Sequence, residues 1–283
     1  MSRGGHSEVE FGARNAVRCH VPYRLDFPAP PTDALDRLVA LGALDLEVID
    51  GVLAAILPDR VSLDEVGYAL EGTPMTASAA TARDDGSVWI LRPRPVRVGS
   101  LLLVPGDAAP VAGALRLIDG PAFGTGLHPT TGLCLELLDE LLDGEPPARM
   151  LDVGIGSGIL ALAALLKGVP EAVGVDIDRG AIADSAENAR LNGLEGRLTL
   201  VHGGPEAVSG TWPLVVANVL PAPLIEMASP VTHRVSHRGR VVLSGIHQSM
   251  APEVERAYVR LGMRRTRSET RDGWTALVLD ASW

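Results

Sequence analysis

The spacing of apolar residues changes at about residue 92. Before that point the apolar runs are short and switch between periods typical of strands and of helices. They predict a strand at 16–24, a helix after Thr32 or Asp33, strands at 44–50 and 52–58 around Asp50-Gly51, a helix opened by a Ser62–Glu65 capping box, and a strand at 88–91. This β-α-β-β-α-β order favours a small ferredoxin-like α+β domain over residues 1–92. About the first 14 residues are polar and glycine-rich, and we expect them to be disordered.

From residue 93 onward the runs become longer. The segment RPRPVRVGS predicts an extended connector, and leucines at helical spacing between 133 and 142 predict a helix. Strand-like and helix-like runs then alternate: ARMLDV, ILALAALL, EAVGVD, AIADSAENARL, RLTLV, PLVVAN and GRVVLSGI. This alternation predicts a Rossmann-like, doubly wound α/β domain over residues 93–283 with a mostly parallel seven-stranded sheet. Two final runs around Asp272-Gly273 predict an antiparallel hairpin at the sheet edge.

Composition narrows the class of protein. The chain of 283 residues has 25 Lys and Arg against 35 Asp and Glu, a net charge of −10, and its one lysine is Lys167. This acidity argues against a broad nucleic-acid-binding surface. No apolar run approaches the roughly 20 residues of a membrane helix, and two cysteines are too few for a disulfide framework. We therefore expect a cytoplasmic protein without a metal ion and without direct contact to nucleic acid or membrane. Composition does not determine the oligomeric state, for which we expect a monomer.

A glycine-rich turn follows the first strand of the α/β domain. Its sequence is Asp152-Val-Gly154-Ile-Gly156-Ser-Gly158. Glycines let the chain turn sharply into a helix and let a ligand approach the backbone. The dinucleotide fingerprint would need glycine at Ile159, and the phosphate-loop motif is absent. The turn therefore predicts a nucleoside ligand without a pyrophosphate, for which S-adenosyl-L-methionine is the common case.

Asp176 ends the second strand of the domain. It follows Gly154 at about the spacing of a ribose-binding carboxylate, roughly 20 residues. A carboxylate at this point can accept hydrogen bonds from both ribose hydroxyls. The alternative is that Asp176 and Asp178 cap the next helix, a common use of aspartate.

Four longer segments together carry a family resemblance. PAFGTGLHPTTGLCLELL, LDVGIGSGILALAAL, GVDIDRGAIADSAENARLNG and VVANVLPAPLIEMA resemble the PrmA family, S-adenosylmethionine-dependent enzymes that methylate ribosomal protein L11. The resemblance implies S-adenosyl-L-methionine as cofactor and ribosomal protein L11 as the protein partner. It places cofactor contacts at Thr131, Gly154, Asp176 and Asn218, and we add Phe123, Asp152, Gly156 and Gly158 from the neighbouring motif positions.

The chain departs from the family pattern at three points. Gly120-Pro121 stands where the family has proline-glycine, and Ile155 replaces a cysteine of the glycine turn. After the third strand the segment His202 to Pro205 lacks the acidic residue that often reads adenine, and Glu206 is a possible substitute. These departures bear on cofactor affinity and on the protein substrate, and none removes a group that methyl transfer needs.

The resemblance also implies how an amine would be methylated. Asn218 follows the fourth strand, and its side-chain carbonyl together with the backbone C=O of Val219 would accept two N–H bonds and aim the amine lone pair. The alternative is an ordinary turn residue at Asn218. Phe123 would cover the methionine moiety, and Thr131 would bind cofactor or cap a helix. His128 would take a proton from the amine, since imidazole is the side chain used most often as a general base, although a single loop histidine is more often structural.

The interpretation is a protein N-methyltransferase acting on lysine or N-terminal amines of ribosomal protein L11. The domain of residues 1–92 would hold the protein substrate, and the domain of residues 93–283 would bind cofactor and carry out the transfer. Two alternatives stay open: a related methyltransferase acting on another protein's lysine or on a small molecule, and a non-catalytic S-adenosylmethionine-binding module. His233, His237 and His247 do not have a metal-ligand spacing.

Overall fold

The computed structural model describes residues 21–84 and 86–283. The chain divides into two compact units between Arg92 and Pro93. The predicted strand at 16–24 lies mostly outside the described residues, as does the expected disorder of about the first 14. The strand that is described there, β1, runs from Tyr23 to Phe27.

The first unit contains a four-stranded antiparallel sheet covered by two helices. After β1 the elements are α1 (Ala34–Ala40), β2 (Asp45–Ile49), β3 (Val52–Leu57), α2 (Leu63–Ala69), β4 (Thr76–Ala79), β5 (Ala82–Arg83) and β6 (Val88–Trp89). The sheet order is β2-β3-β1-β4, and an apolar core that includes Leu25, Phe27 and Leu38 lies between the sheet and the helices.

Of two local predictions for this unit, the capping box agrees with the structure and the last strand of the sheet does not. The capping box is confirmed, because Ser62 Oγ accepts from Glu65 N at 3.2 Å and Glu65 Oε2 accepts from Ser62 N at 2.7 Å. The predicted strand at 88–91 is present as the shorter β6, but it does not complete the β-α-β-β-α-β set as expected. That place is taken by β4, which pairs with β1 and whose TASA sequence is exposed throughout and carries no apolar alternation, while β6 pairs with β5.

The second unit begins with a small sheet where a connector was predicted. Its strands are β7 (Val96–Val98), β8 (Leu101–Pro105) and β9 (Ala114–Leu117). The prolines of RPRPVRVGS do extend the chain, but Val96 and Val98 then pair with β8 across a Gly99-Ser100 turn. The Asp139 carboxylate accepts from Ser100 N at 3.0 Å and holds this turn.

The larger sheet of the second unit is α/β and mostly parallel, as predicted. The elements are α3 (Pro129–Leu141), β10 (Arg149–Val153), α4 (Ile159–Leu166), β11 (Glu171–Asp176), α5 (Arg179–Leu191), β12 (Leu198–His202), a 3₁₀ turn (Pro205–Ala207), β13 (Trp212–Asn218), α6 (Pro221–Glu226), α7 (Ala228–Thr232), β14 (Val235–His247), α8 (Ala251–Val259), β15 (Met263–Arg271) and β16 (Trp274–Ala281). The sheet order is β12-β11-β10-β13-β14-β16-β15, with the first five strands parallel and the last two forming the predicted antiparallel hairpin.

Each face of this sheet is covered by its own apolar core. One core joins the sheet to α3, α4 and β9, and the other joins it to α6, α7 and α8. Burial of both faces explains why the strand sequences are almost continuously apolar. Polar side chains lie at the carboxyl ends of two of these strands, where β11 ends at Asp176 and β13 at Asn218. In the described part of the chain, no helix is both long enough and apolar enough to span a bilayer.

Candidate active site

The glycine turn connects β10 to α4 at the carboxyl end of the parallel strands. Gly154, Gly156 and Gly158 all have positive φ, at 72°, 55° and 82°. A Cβ atom at Gly154 would lie 2.4 Å from Val219 Cγ1, and one at Gly156 would lie 2.6 Å from the carbonyl oxygen of Phe123. The turn therefore needs glycine for its backbone conformation and for the close approach of two other segments of the site.

The Asp176 carboxylate is oriented by the backbone around it. Its Oδ2 accepts from Gly156 N at 3.0 Å and its Oδ1 from Asp178 N at 2.9 Å. The helix cap is Asp178, whose Oδ1 accepts from Gly180 N at 2.8 Å, so the capping alternative is wrong for Asp176. Ile177 between the two carboxylates is 79% exposed, and the sequence did not reveal this apolar surface. It lies beside the crevice, the region at the carboxyl ends of β10, β11 and β13 where an open α/β sheet binds its ligand.

Asp152 lies beneath the turn at the end of β10. Its side chain is buried, its Oδ2 accepts from Ala161 N at 3.1 Å, and its Oδ1 has no hydrogen-bond partner among the described residues. Burial holds the pKa of Asp152 well above its ordinary value, and the nearby Asp176 carboxylate raises it further. A cationic ligand bound nearby would stabilise the ionised form of this carboxyl group and so lower its pKa again.

Asn218 ends β13 and Val219 follows it, on the other side of the crevice. Asn218 Nδ2 donates a long hydrogen bond to Thr131 Oγ1 at 3.5 Å. Asn218 Oδ1 is buried, and nothing in residues 21–84 and 86–283 donates to it. Val219 N donates to the carbonyl oxygen of Ser244 at 3.1 Å, which ties this segment to β14.

A bulge in β14 supports Val219 from the side opposite the glycine turn. The register of β14 against β16 shifts between Leu243 and Ile246, and Gly245 within the bulge has φ 81°. A Cβ atom at Gly245 would lie 2.3 Å from the carbonyl oxygen of Val219. Sequence reasoning missed Gly245, although a glycine inside an apolar strand pattern is a known signal of a bulge or of close backbone contact.

The loop from Phe123 to Gly126 packs on the glycine turn. Ser157 N donates to the carbonyl oxygen of Phe123 at 2.9 Å, and Ser157 Oγ donates to that of Gly124 at 2.8 Å. A Cβ atom at Gly126 would lie 2.1 Å from Leu103 Cδ1 on β8. The loop is thus held between the turn and the small sheet of the unit.

His128 caps helix α3. Its Nδ1 accepts from Thr130 N at 3.3 Å and lies 2.7 Å from Thr130 Oγ1. Its buried ring makes edge contacts with the rings of Phe123 and Trp274, at centroid distances of 5.3 Å and 5.0 Å. Of the two roles expected for Thr131, helix capping is wrong, because Thr131 lies inside α3 and reaches toward Asn218, and cofactor binding stays a prediction. Sequence reasoning also missed Trp274, which reaches this edge because β16 runs antiparallel and begins there.

A comparison with known proteins decides the family. A family profile described as ribosomal protein L11 methyltransferase (PrmA) matches residues 61–282. The chain belongs to this family. The structure brings Thr131, Gly154, Asp176 and Asn218, the residues that the resemblance named, to the carboxyl edge of one sheet, and their roles stay predictions.

Individual relatives agree with the family. A ribosomal protein L11 methyltransferase of Ectopseudomonas mendocina is 43% identical over 194 residues, which cover 67% of this chain and 65% of the relative. One of Cupriavidus taiwanensis is 44% identical over 247 residues, which cover 85% and 78%. The crystal structure of a ribosomal protein L11 methylase from Lactobacillus delbrueckii subsp. bulgaricus superimposes with a TM-score of 0.61 at 29% identity, covering 67% of this chain and all of that one. The chain spans just under two thirds of the first of these relatives.

Proposed function

We propose that this protein is an S-adenosyl-L-methionine-dependent N-methyltransferase that methylates lysine or N-terminal amines of ribosomal protein L11. The observation that carries the proposal is the buried, unpartnered Asn218 Oδ1 beside the Val219 carbonyl, at the edge of a crevice that begins with the glycine turn. A donor that arrives with the substrate would satisfy that oxygen.

The residues of the crevice fit the cofactor. The Asp176 carboxylate, oriented by Gly156 and Asp178, would accept from the ribose hydroxyls, and exposed Ile177 would pack against the adenine ring. The raised pKa of buried Asp152 favours a cationic ligand nearby, and the cofactor carries ammonium and sulfonium cations. Glu206 lies exposed in the 3₁₀ turn after β12, and its contact with adenine stays a prediction. Bound S-adenosylmethionine would supply an electrophilic methyl group on its sulfonium sulfur.

Asn218 and Val219 would orient the substrate amine. An amine attacks through its lone pair, so it must arrive neutral with its N–H bonds directed away from the methyl group. Asn218 Oδ1 and the Val219 carbonyl oxygen would accept two of these N–H bonds, and positioning of this kind lowers the barrier without a covalent intermediate. A Cβ atom at Gly154 would meet Val219 Cγ1 and one at Gly245 would meet the Val219 carbonyl oxygen, so Val219 can lie where it does because both neighbours are glycines.

The role of His128 in accepting the amine proton stays a prediction. The ring nitrogen Nδ1 is used by the cap of α3, which the structure assigns to this residue. Replacing His128 by asparagine keeps a good N-cap and removes the imidazole. An unchanged pH–rate profile in that variant would remove His128 from the mechanism.

The first unit would recognise the protein substrate. Its β-α-β-β-α-β order and its sheet order favour a ferredoxin-like fold. The family profile begins only at residue 61, so most of this unit lies outside the match and a different protein substrate is the alternative. The net charge of −10 suits a cationic cofactor and a basic substrate. A cytoplasmic location and a monomeric state stay predictions.

The test uses purified protein and labelled S-adenosylmethionine. Calorimetry measures cofactor binding, and mass spectrometry locates the label after incubation with ribosomal protein L11. We expect binding, and label on lysine side chains or the terminal amine. Binding with label on a different protein would favour the alternative substrate, binding without transfer to any candidate would favour a non-catalytic module, and no binding would overturn the proposal.

A further inference from the structure

Helix α5 presents a polar stripe to the segment that leads into the Phe123 loop. Asp184, Asn188 and Asn192 follow one another at intervals of four residues, so they lie on one face of the helix. Each side chain accepts a hydrogen bond from a backbone N–H of that segment: Asp184 from Ala122 at 3.1 Å, Asn188 from Ile118 at 2.8 Å, and Asn192 from Arg116 at 2.9 Å. The stripe therefore fixes the path of the chain between β9 and the loop.

Asn188 differs from its neighbour Asn192 in what its amide nitrogen contacts. Asn188 is fully buried, and its Nδ2 donates to the carbonyl oxygen of Ser157 in the glycine turn at 2.9 Å. Asn192 Nδ2 donates instead to the carbonyl oxygens of Arg116 at 2.8 Å and of Asn188 at 2.7 Å, so it does not contact the glycine turn. The Asn188 amide thus bridges the residue that follows β9, Ile118, and the glycine turn.

Ser157 extends this bridge to the loop. Its N–H and its hydroxyl hold the carbonyl oxygens of Phe123 and Gly124, while its own carbonyl oxygen is held by Asn188. The orientation of one turn residue thus depends on Asn188 and determines where the loop lies. On the opposite side, Gly156 N donates to Asp176, so the turn is fixed from both flanks.

We propose that Asn188 is a positioning residue for cofactor binding, which couples the glycine turn to the Phe123–Gly126 loop through Ser157. The inference rests on the proposed function, since it takes these two segments as the walls of the S-adenosylmethionine site. Asn188 does not touch the cofactor. It sets the spacing of the groups that do.

The matched variants are Asn188→Asp and Asn192→Asp. Each keeps the acceptor oxygen and replaces the donor nitrogen by an oxygen, which faces Ser157 O in the first case and the carbonyl oxygens of Arg116 and Asn188 in the second. We expect both variants to unfold at lower temperature, because each leaves a carbonyl oxygen facing an acceptor. The dissociation constant of S-adenosylmethionine, measured by calorimetry, should rise about tenfold in Asn188→Asp and stay within about twofold in Asn192→Asp. Equal changes in the two variants would overturn the inference.

A double-mutant cycle covers the case in which Asn188→Asp does not fold. It combines Asn188→Ala with Ser157→Ala and measures the same dissociation constant. If Asn188 acts through Ser157, the loss from Ser157→Ala should be smaller when Asn188 is already alanine, and purely multiplicative losses would contradict the coupling. Failure of the unmutated protein to bind S-adenosylmethionine would overturn the proposed function itself. Tight binding by the unmutated protein with no special effect at Asn188 would overturn only this inference.

Discussion

The polar groups on the two sides of the crevice differ in whether they already have hydrogen-bond partners. On the side of β10 and β11, backbone N–H groups of Gly156 and Asp178 already orient the Asp176 carboxylate. On the side of β13 and β14, Asn218 Oδ1 is buried and finds no donor within the described chain. A preoriented group loses little entropy when a ligand binds, whereas an unsatisfied acceptor gains a hydrogen bond when the substrate arrives. Affinity for cofactor and turnover should therefore respond to different residues.

The largest expected effect is on turnover in Asn218→Ala. Loss of the amide oxygen removes one of the two acceptors that we propose orient the amine, so we expect kcat to fall by about 100-fold or more. The dissociation constant of S-adenosylmethionine should change by no more than about threefold. Steady-state kinetics and calorimetry measure the two quantities, and Asn192→Ala is the control for loss of a paired asparagine elsewhere in the unit. A variant that keeps full turnover would show that Asn218 is an ordinary turn residue.

Asp176→Asn should show the reverse pattern. Its loss of charge weakens hydrogen bonds that each contribute about 1.5–3 kcal/mol, so we expect the cofactor to bind roughly 10- to 100-fold more weakly. At saturating cofactor, kcat should stay within a few-fold of the unmutated value. Asp178→Asn is the control, because asparagine also caps helices and should leave binding unchanged. Equal weakening in both variants would contradict a specific role for Asp176.

Gly245→Ala tests whether the bulge in β14 places the Val219 carbonyl. The new Cβ atom would lie 2.3 Å from that oxygen and displace it, so we expect kcat to fall about tenfold with cofactor affinity unchanged. Gly210→Ala is the matched control, since Gly210 also has positive φ, at 99°, but its nearest atom lies 3.8 Å away. Both variants should lose about 1 kcal/mol of stability from backbone strain. A loss of turnover as large in Gly210→Ala would contradict the assignment.

The smallest effect concerns Asp152 and pH. Because burial raises the pKa of Asp152 in the folded protein, the group contributes most stability below its unfolded pKa of about 3.9 and loses this as pH rises through the folded value. Asp152→Asn removes the cost of ionisation. We expect the cofactor-free variant to melt higher at pH 7, by roughly 2–4 °C for each kcal/mol relieved, and to approach the unmutated protein near about pH 4.

The same variant should bind S-adenosylmethionine a few-fold more weakly, because a neutral amide attracts a cation less than a carboxylate does. Thermal melts across the pH range and calorimetry measure the two effects. A variant less stable at pH 7 by the same margin as at low pH would contradict a raised pKa at Asp152.

The sequence predicts the α/β unit better than it predicts the site within it. Apolar runs on β10, β13 and β14 are unmistakable because both sheet faces are buried. The fourth strand of the first unit was missed, since TASA pairs by its backbone alone. Glycine and carboxylate spacing predicts Gly154 and Asp176. In contrast, Trp274 and Asn188 act through contacts between segments far apart in the chain, which no local pattern carries.

The most direct test of the account is the mass of ribosomal protein L11 after incubation with the enzyme and saturating S-adenosylmethionine. We expect the unmutated protein to add whole methyl groups to amines of ribosomal protein L11. Asn218→Ala, assayed at a cofactor concentration shown by calorimetry to fill its site, should add almost none. Methylation by Asn218→Ala at the unmutated rate, or an unchanged mass of ribosomal protein L11 with the unmutated enzyme under saturating cofactor, would contradict it.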